Sequence, residues 1–498
     1  MASSGNRRGM GQQRIMSTIL AQSRLAVALG LAALLPACSV YDSVMGPPAP
    51  QLGTPGFVSG FLGGVVSDEP RATLAGREVL SAGGNAADAA VAVGFTLAVT
   101  LPSRAGIGGG GACLAFAATA KSVNQGTPEA ILFLPSAPPG PGFSSSPGAR
   151  SDRPAALPLM PRGMFLLHSR YGSRPIETFL GGVEEGARFG VPVSRALARD
   201  LAVVAGPLSA DPAAREVFLR SGVPLAEGQT LTQPELSATI SQMRVNGIGD
   251  LYQGGLARRV EVASARIGGP LSLADLRTAL PRVTTPLVVP YRNDLVAFLP
   301  PPADGGLAAA AAFKTLQQTP GDWNGAMARA TGTASVWRQG GGVSVDQLLA
   351  APVTQDYPLP PLPASTSFAT LDLNGNAVVC VLTMNNLFGT GRIMPGLGFL
   401  AAASPAYVPP PLLSAALAWN DNTKAFRAAV GGTGQAGAPV AVAGAMMNTL
   451  VSQQPMPSQV PDPGRANVVA CGRYLPRETA SCGWAADPRE FGLASGGG

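Results

Sequence analysis

A mixed fold of helices and strands, in one long body behind a cleavable leader, is what this sequence predicts. Three observations carry the expectation. Residues Ala86 to Thr100 are apolar on nearly every face, which reads as a buried helix. Residues 365–384 alternate in the manner of two strands around the turn signal Asn374-Gly375-Asn376. Between Arg162 and Thr319, helical segments alternate with Pro and Gly punctuation. With 46% hydrophobic and 13% charged residues over 498 positions, the chain can bury a sizeable core, and wholesale disorder is excluded.

The leader comes first. Leu25 to Leu35 is an unbroken run of Leu, Ala, Val and Gly, preceded by Arg24 and closed by Leu35-Pro36-Ala37-Cys38. The run is shorter than the roughly 20 apolar residues that span a bilayer. A basic start, a short apolar centre and a small residue before the cut describe a secretory signal over residues 1–37, starting at Met1 or Met16. Cys38 at the cut resembles a bacterial lipobox, in which that thiol is acylated. Pro36 is unusual there and leaves cleavage by the ordinary signal peptidase open. Residues 38–55, rich in Pro and Gly, read as a flexible tether. Ser39 carries no inner-membrane retention signal, so the expected location is the periplasmic side of the outer membrane, through an N-terminal lipid anchor.

In the body, Ser67-Asp68-Glu69-Pro70 is a helix start with Ser67 as its cap, and Gly83-Gly84 is the stop. The cluster Gly106 to Gly111 follows a helix and lacks the Gly-Lys-Ser/Thr of a phosphate loop, so it reads as close backbone approach in a packed core. Residues 340–363 begin Gly-rich and end Pro-rich, and the Pro-rich end, with Pro358, Pro360, Pro361 and Pro363, reads as an exposed loop. Ser365-Thr366-Ser367 opens the strand that follows. That strand begins either an ordinary hairpin or a new N-terminus.

Composition excludes several functions. The formal charge of +6 includes Arg7, Arg8, Arg14 and Arg24 of the leader, and a mature body of +2 without a basic cluster gives no case for nucleic acid. There is no C-x-x-C and no Cys/His cluster, hence no case for a metal, and no cofactor is expected. The single histidine, His168, sits beside Leu166 and Leu167 with no nucleophile motif around it, which argues against a Ser-His-Asp hydrolase. Cys471 and Cys482 lie in a polar stretch and can close a disulfide in an oxidising compartment. Cys113 and Cys380, inside apolar runs, are expected to be buried free thiols.

Several segments, in order, resemble the γ-glutamyltranspeptidase family of N-terminal-nucleophile hydrolases. They are Ser67 to Thr73, Gly83-Gly84-Asn85-Ala86-Ala87-Asp88-Ala89-Ala90, Gly106 to Gly111, Leu231 to Leu236, Pro300 to Gly306, and Asp372 to Gly398, covering roughly 56–450. The resemblance implies an α+β fold, the αββα four-layer sandwich. It also implies self-cleavage into a large fragment (56–364) and a small one (365–460), with 461–498 as a C-terminal tail. The freed N-terminal residue would be the nucleophile and its α-amine, of unperturbed pKa about 7.7–8.0, the base; no histidine is then required.

The family nucleophile lies seven positions before an Asp, which puts Ser365 there when counted from Asp372, with Thr366 the alternative. Thr383 matches a family Thr at the nucleophile, Asn385 a substrate-binding Asn, and Gly434 with Gln435 the oxyanion pair, Gln435 standing in for glycine. Ser414 retains one half of a substrate-binding Ser-Ser pair beside Leu413. The glutamyl-reading positions depart: Leu134 replaces the Arg that grips the α-carboxylate, and Ala401-Ala402-Ala403-Ser404-Pro405-Ala406 replaces the segment that holds the α-amine. A bidentate Arg–carboxylate contact is strong and directional, so its loss argues against a free amino-acid head group. Two functions follow as expectations. One is an autoprocessed hydrolase or acyltransferase acting on a small amide or peptide through an ester on Ser365, with an acyl group less polar than γ-glutamyl. The other is a catalytically inactive envelope lipoprotein using the same fold for binding.

Overall fold

The computed structural model describes residues 60–118, 125–139, 152–340, 342–350, 359–457 and 459–497. The leader, Cys38 and the tether lie outside these residues.

The order of the elements begins with strand β1 (Gly63–Ser67), helices α1 (Pro70–Ser81) and α2 (Ala86–Thr100), and strands β2 (Gly110–Phe116) and β3 (Glu129–Phe133). Helix α3 (Met160–Tyr171) opens a helical region that runs to residue 278. Strands β4 (Arg282–Thr284), β5 (Leu287–Tyr291) and β6 (Asp294–Phe298) precede helices α4 (Asp304–Gln318) and α5 (Trp323–Gln339). Then come the hairpin β7 (Thr366–Asp372) and β8 (Ala377–Thr383), strands β9 (Ser414–Asn420) and β10 (Ala425–Thr433), and helix α6 (Ala438–Ser452). Strands β11 (Arg465–Leu475), β12 (Cys482–Ala486) and β13 (Leu493–Gly497) close the chain.

These strands form two antiparallel sheets, one in the order β13-β1-β7-β8-β2-β3-β4 and the other β12-β11-β10-β9-β6-β5. Side-chain alternation along each strand decides the layering. Leu114, Leu371, Val379 and Val381 of the first sheet meet Leu417, Trp419, Ala429 and Val469 of the second in one apolar layer. The opposite faces pack against α1, α2 and α3 on one side and α4, α5 and α6 on the other. Three apolar layers separated by two sheets make the expected αββα sandwich.

Local signals in the sequence set the ends of several elements. Asn85 caps α2, accepting from the amides of Ala87 and Asp88 in a capping box. Gly83, at φ +80°, ends α1. Asp372 organises the hairpin turn by accepting from the amides of Asn374 and Asn376, and its other oxygen takes the amide of Ala86. That contact ties the nucleophile hairpin to the start of α2. The glycine cluster is packed as anticipated: a Cβ at Gly109 would lie 2.5 Å from the Thr383 carbonyl oxygen, and one at Gly110 2.2 Å from that of Phe133.

Three expectations are corrected. Ser67 is not the cap of α1: Glu69 accepts from the Ala72 amide instead, because Ser67 is still in β1, paired with Phe368. Cys113 and Cys380 are not free thiols but a disulfide; they face each other directly across β2 and β8, a pairing that two separate apolar runs do not reveal. Residues 461–498 are not a tail, since β11 fills an interior position of the second sheet and β13 extends the first beside β1. The Cys471–Cys482 disulfide, anticipated from the sequence, joins β11 to β12.

Candidate active site

The first sheet brings the candidate nucleophile strand into its centre. β7 pairs with β1 on one side and β8 on the other, and Ser365 immediately precedes it. Thr366 pairs with Leu382, and Thr383 pairs with Gly110, so Ser365 stands beside Thr383 at one end of the sheet. The Thr383 hydroxyl donates to the carbonyl oxygen of Ala364 at 3.1 Å, and it accepts from the Asn385 amide at 2.9 Å. A donor held by its own neighbour thus polarises the one carbonyl that precedes Ser365.

The two candidate nucleophiles differ in their commitments. Thr366 is fully buried and its hydroxyl donates to Asp68 Oδ2 at 2.9 Å. Asp68 Oδ2 also accepts the Ser367 amide at 2.9 Å, and Oδ1 accepts Asn467 Nδ2 at 2.7 Å. Burial pushes the Asp68 carboxyl above the usual carboxylate range, while the Ser367 amide, the Arg104 charge and the Asn467 and Thr366 side chains pull it back. Ser365, also buried, lies one residue nearer the Ala364 carbonyl and outside this network.

The opposing sheet brings Gly434 to the same end. Gly375, in the β7–β8 turn, abuts the Leu475 carbonyl, and Leu475 pairs with Phe426 at the start of β10. Gly431, near the end of β10, abuts the Ser367 side chain. β10 therefore runs against β7, and its continuation into Gly434 approaches the level of Ser365. Gly434 has φ +107° and Gln435 φ +54°, two left-handed residues in succession that turn the chain into the short helix Gln435–Gly437 and then α6. A Cβ on Gly434 would come within 2.2 Å of the Pro463 carbonyl oxygen, so glycine is required there. Gln435 is exposed. Successive amides at such a turn are the donor type that stabilises an oxyanion.

Asn385 and Ser414 are brought near the site but are engaged elsewhere. Asn385, at φ +55° and buried, donates its side-chain amide to the carbonyls of Ala403 at 3.1 Å and Pro135 at 3.4 Å. It thereby joins the segment that carries Leu134 to the segment Ala401–Ala403. The Ser414 hydroxyl lies 3.0 Å from the Leu412 carbonyl and 3.1 Å from that of Gly305, fastening β9 to the start of α4. The residues in these two segments are apolar: Ala401, Ala402 and Ala403 are buried and Leu134 half-buried, with Ala403 bridged to Ala155. His168 is in α3, its Nε2 2.6 Å from the Arg174 carbonyl, a structural placement.

The Gamma-glutamyltranspeptidase family model matches residues 72–337. The chain belongs to the γ-glutamyltranspeptidase family. It is 28% identical over 424 residues to the glutathione hydrolase proenzyme of Escherichia coli, covering 75% of this chain and 72% of that protein. It is 30% identical over 266 residues to the acylase ACY 1 proenzyme of a Pseudomonas species, covering 50% of this chain and 46% of that protein. A match to the Bacillus subtilis glutathione hydrolase proenzyme, 30% identical over 255 residues, spans 49% of this chain and 43% of that protein; the chain thus matches under half the length of these last two relatives. The fold resembles that of cephalosporin acylase from Bacillus halodurans, with TM-score 0.70 and 20% identity over 90% of this chain and 98% of that one. This γ-glutamyltranspeptidase-family chain therefore has the N-terminal-nucleophile hydrolase fold, with β11–β13 inside it.

Asp68 and Asn467 give no local sign of this role: Asp68 reads as a helix-start acid, and Asn467 lies in a segment expected to be a tail.

Proposed function

We propose that the chain cuts itself between Ala364 and Ser365, then hydrolyses or transfers an acyl group through an ester on Ser365. The observation that carries this reading is the Thr383 hydroxyl on the Ala364 carbonyl oxygen. In the cut, Ser365 Oγ adds to the Ala364 carbonyl carbon while Thr383 steadies the developing oxyanion. The C–N bond breaks, the proton from the hydroxyl passes to the departing nitrogen, and an ester with a free Ser365 amine results. Water then hydrolyses that ester, leaving the Ala364 carboxylate and restoring the hydroxyl.

In turnover, the free amine takes the hydroxyl proton as Oγ adds to a substrate amide, and returns it to the leaving amine. Backbone donors at Gly434 and Gln435 serve the oxyanion. Water or a second amine resolves the ester. The acyl group is less polar than γ-glutamyl, because Leu134 and Ala401–Ala403 offer no charge to a free amino-acid head group, and Asn385 already donates to backbone carbonyls.

The location proposed is the periplasmic side of the outer membrane, anchored through lipid on Cys38. Two disulfides suit an oxidising compartment. The test of the reaction is a reducing denaturing gel with N-terminal sequencing of the smaller fragment, which should read Ser-Thr-Ser-Phe. A single uncut chain would return the non-catalytic lipoprotein reading.

A further inference from the structure

The antiparallel ladder between β1 and β7 stops at Ser67 opposite Phe368. The next residue of the β1 segment, Asp68, meets Ser367 with its side chain rather than its backbone. Its Oδ2 accepts both the Ser367 amide and the Thr366 hydroxyl, each at 2.9 Å. Its Oδ1 accepts Asn467 Nδ2, which belongs to β11 of the other sheet. The same Asn467 nitrogen lies 3.0 Å from Ser367 Oγ and 3.1 Å from the Ser367 carbonyl oxygen. One buried carboxylate and one buried amide thus bridge the two sheets beneath the first residues of β7. Arg104, held bidentately by Asp200, adds favourable charge to the carboxylate.

We propose that Asp68 is a positioning carboxylate for the nucleophile: it pins Thr366 and the Ser367 amide so that Ser365 alone is presented to the scissile carbonyl. The inference rests on the reading of Ser365 as nucleophile. Its physical ground is the change that the cut brings. Before it, Ser365 is held from both sides; afterwards it is a chain end, and chain ends fray unless tied down. The Asp68 contacts begin one residue inside that end. The Thr366 hydroxyl is thereby fixed on Asp68, and the Ala364 carbonyl takes its hydrogen bond from Thr383 instead. Asp68 touches neither Ser365 nor the reacting carbonyl in these contacts, so it acts through Thr366 and Ser367.

The test uses the full chain made in a short pulse of cell-free synthesis, with fragment appearance followed on reducing gels and Tm measured on the purified products. Wild type and Ser365→Ala come first: an uncut wild type, or a Ser365→Ala chain that is still cut, overturns the nucleophile reading and this proposal with it. Given a wild type cut at Ser365, Asp68→Asn should slow cleavage at least about tenfold with Tm lowered by only a few degrees, since it removes a charge-assisted acceptor. Thr366→Val, which exchanges the hydroxyl for a methyl group, should slow it several-fold with the cut still at Ser365. The double variant should be little slower than the worse single one, as residues acting through one contact are not additive. Cleavage of Thr366→Val at the wild-type rate overturns the proposal even if Asp68→Asn fails to fold. So do independent, multiplying losses in the double variant.

Discussion

The Thr383 hydroxyl donates to the Ala364 carbonyl oxygen at 3.1 Å, across the end of the β7–β8 hairpin. The contact joins the last residue of one expected fragment to a side chain of the other. It makes maturation the first thing to measure: Ser365→Ala should leave the chain uncut and folded, and Thr383→Ala should slow cutting by about 100-fold, the effect typical of losing one oxyanion donor. Mass spectrometry of the purified chains reads both outcomes, and normal cutting of Ser365→Ala would remove Ser365 from the role.

A cut at that bond leaves Cys113 and Cys380 on different fragments, joined by their disulfide. Mature protein should therefore run as one species on a non-reducing denaturing gel and as two after reduction. Cys380→Ser should give two species under both conditions. The fragments should still co-purify natively, because β7 and β8 of one lie between β1 and β2 of the other. Two fragments from the non-reduced wild type would contradict the pairing.

Gly434 and Gln435 share a left-handed turn but not its constraints. Gly434→Ala should lower turnover of an acyl anilide by at least about 100-fold, since its Cβ would meet the Pro463 carbonyl oxygen and displace the turn that aims the oxyanion donors. Gln435→Gly should mature normally and stay within about 1 kcal/mol of the parent, relief of left-handed strain being offset by the entropy of glycine. Acyl-anilide assays decide the first, and denaturant melts together with reducing gels the second. A fully active Gly434→Ala would discard the oxyanion assignment.

Substrate choice should follow the apolar residues Leu134 and Ala401–Ala403. γ-Glutamyl anilides should turn over poorly or not at all, and anilides of neutral acyl groups should do better. Efficient γ-glutamyl turnover by the parent would mean that some other cation reaches the carboxylate.

Cys38→Ala should release the exported body from membranes or stall its processing, as read by cell fractionation and by mass spectrometry for lipid. A bacterial lipoprotein's several acyl chains bind firmly where one chain binds reversibly. Membrane attachment that survives the substitution would sink the anchor.

The family, the buried helix Ala86–Thr100, the β7–β8 hairpin and the register that puts Ser365 seven residues before Asp372 were all legible in the chain itself. They depend on local periodicity, turn chemistry and spacing, which act between near neighbours. The proposed loss of the glutamyl-reading positions at Leu134 and Ala401–Ala403 comes from the same kind of signal, residue type at a counted place. Tertiary structure alone decided the rest. Cys113 and Cys380 are 267 residues apart and became partners only because β2 and β8 pair in that register. Asp68 turned from a helix-start acid into the anchor of Thr366 because Asn467, 399 residues on, arrives on the facing sheet. Asn385 matched a substrate ligand by position, yet its amide donates to Pro135 and Ala403. Which donors a side chain meets is set by strands brought together from distant parts of the chain, and no local pattern carries that information.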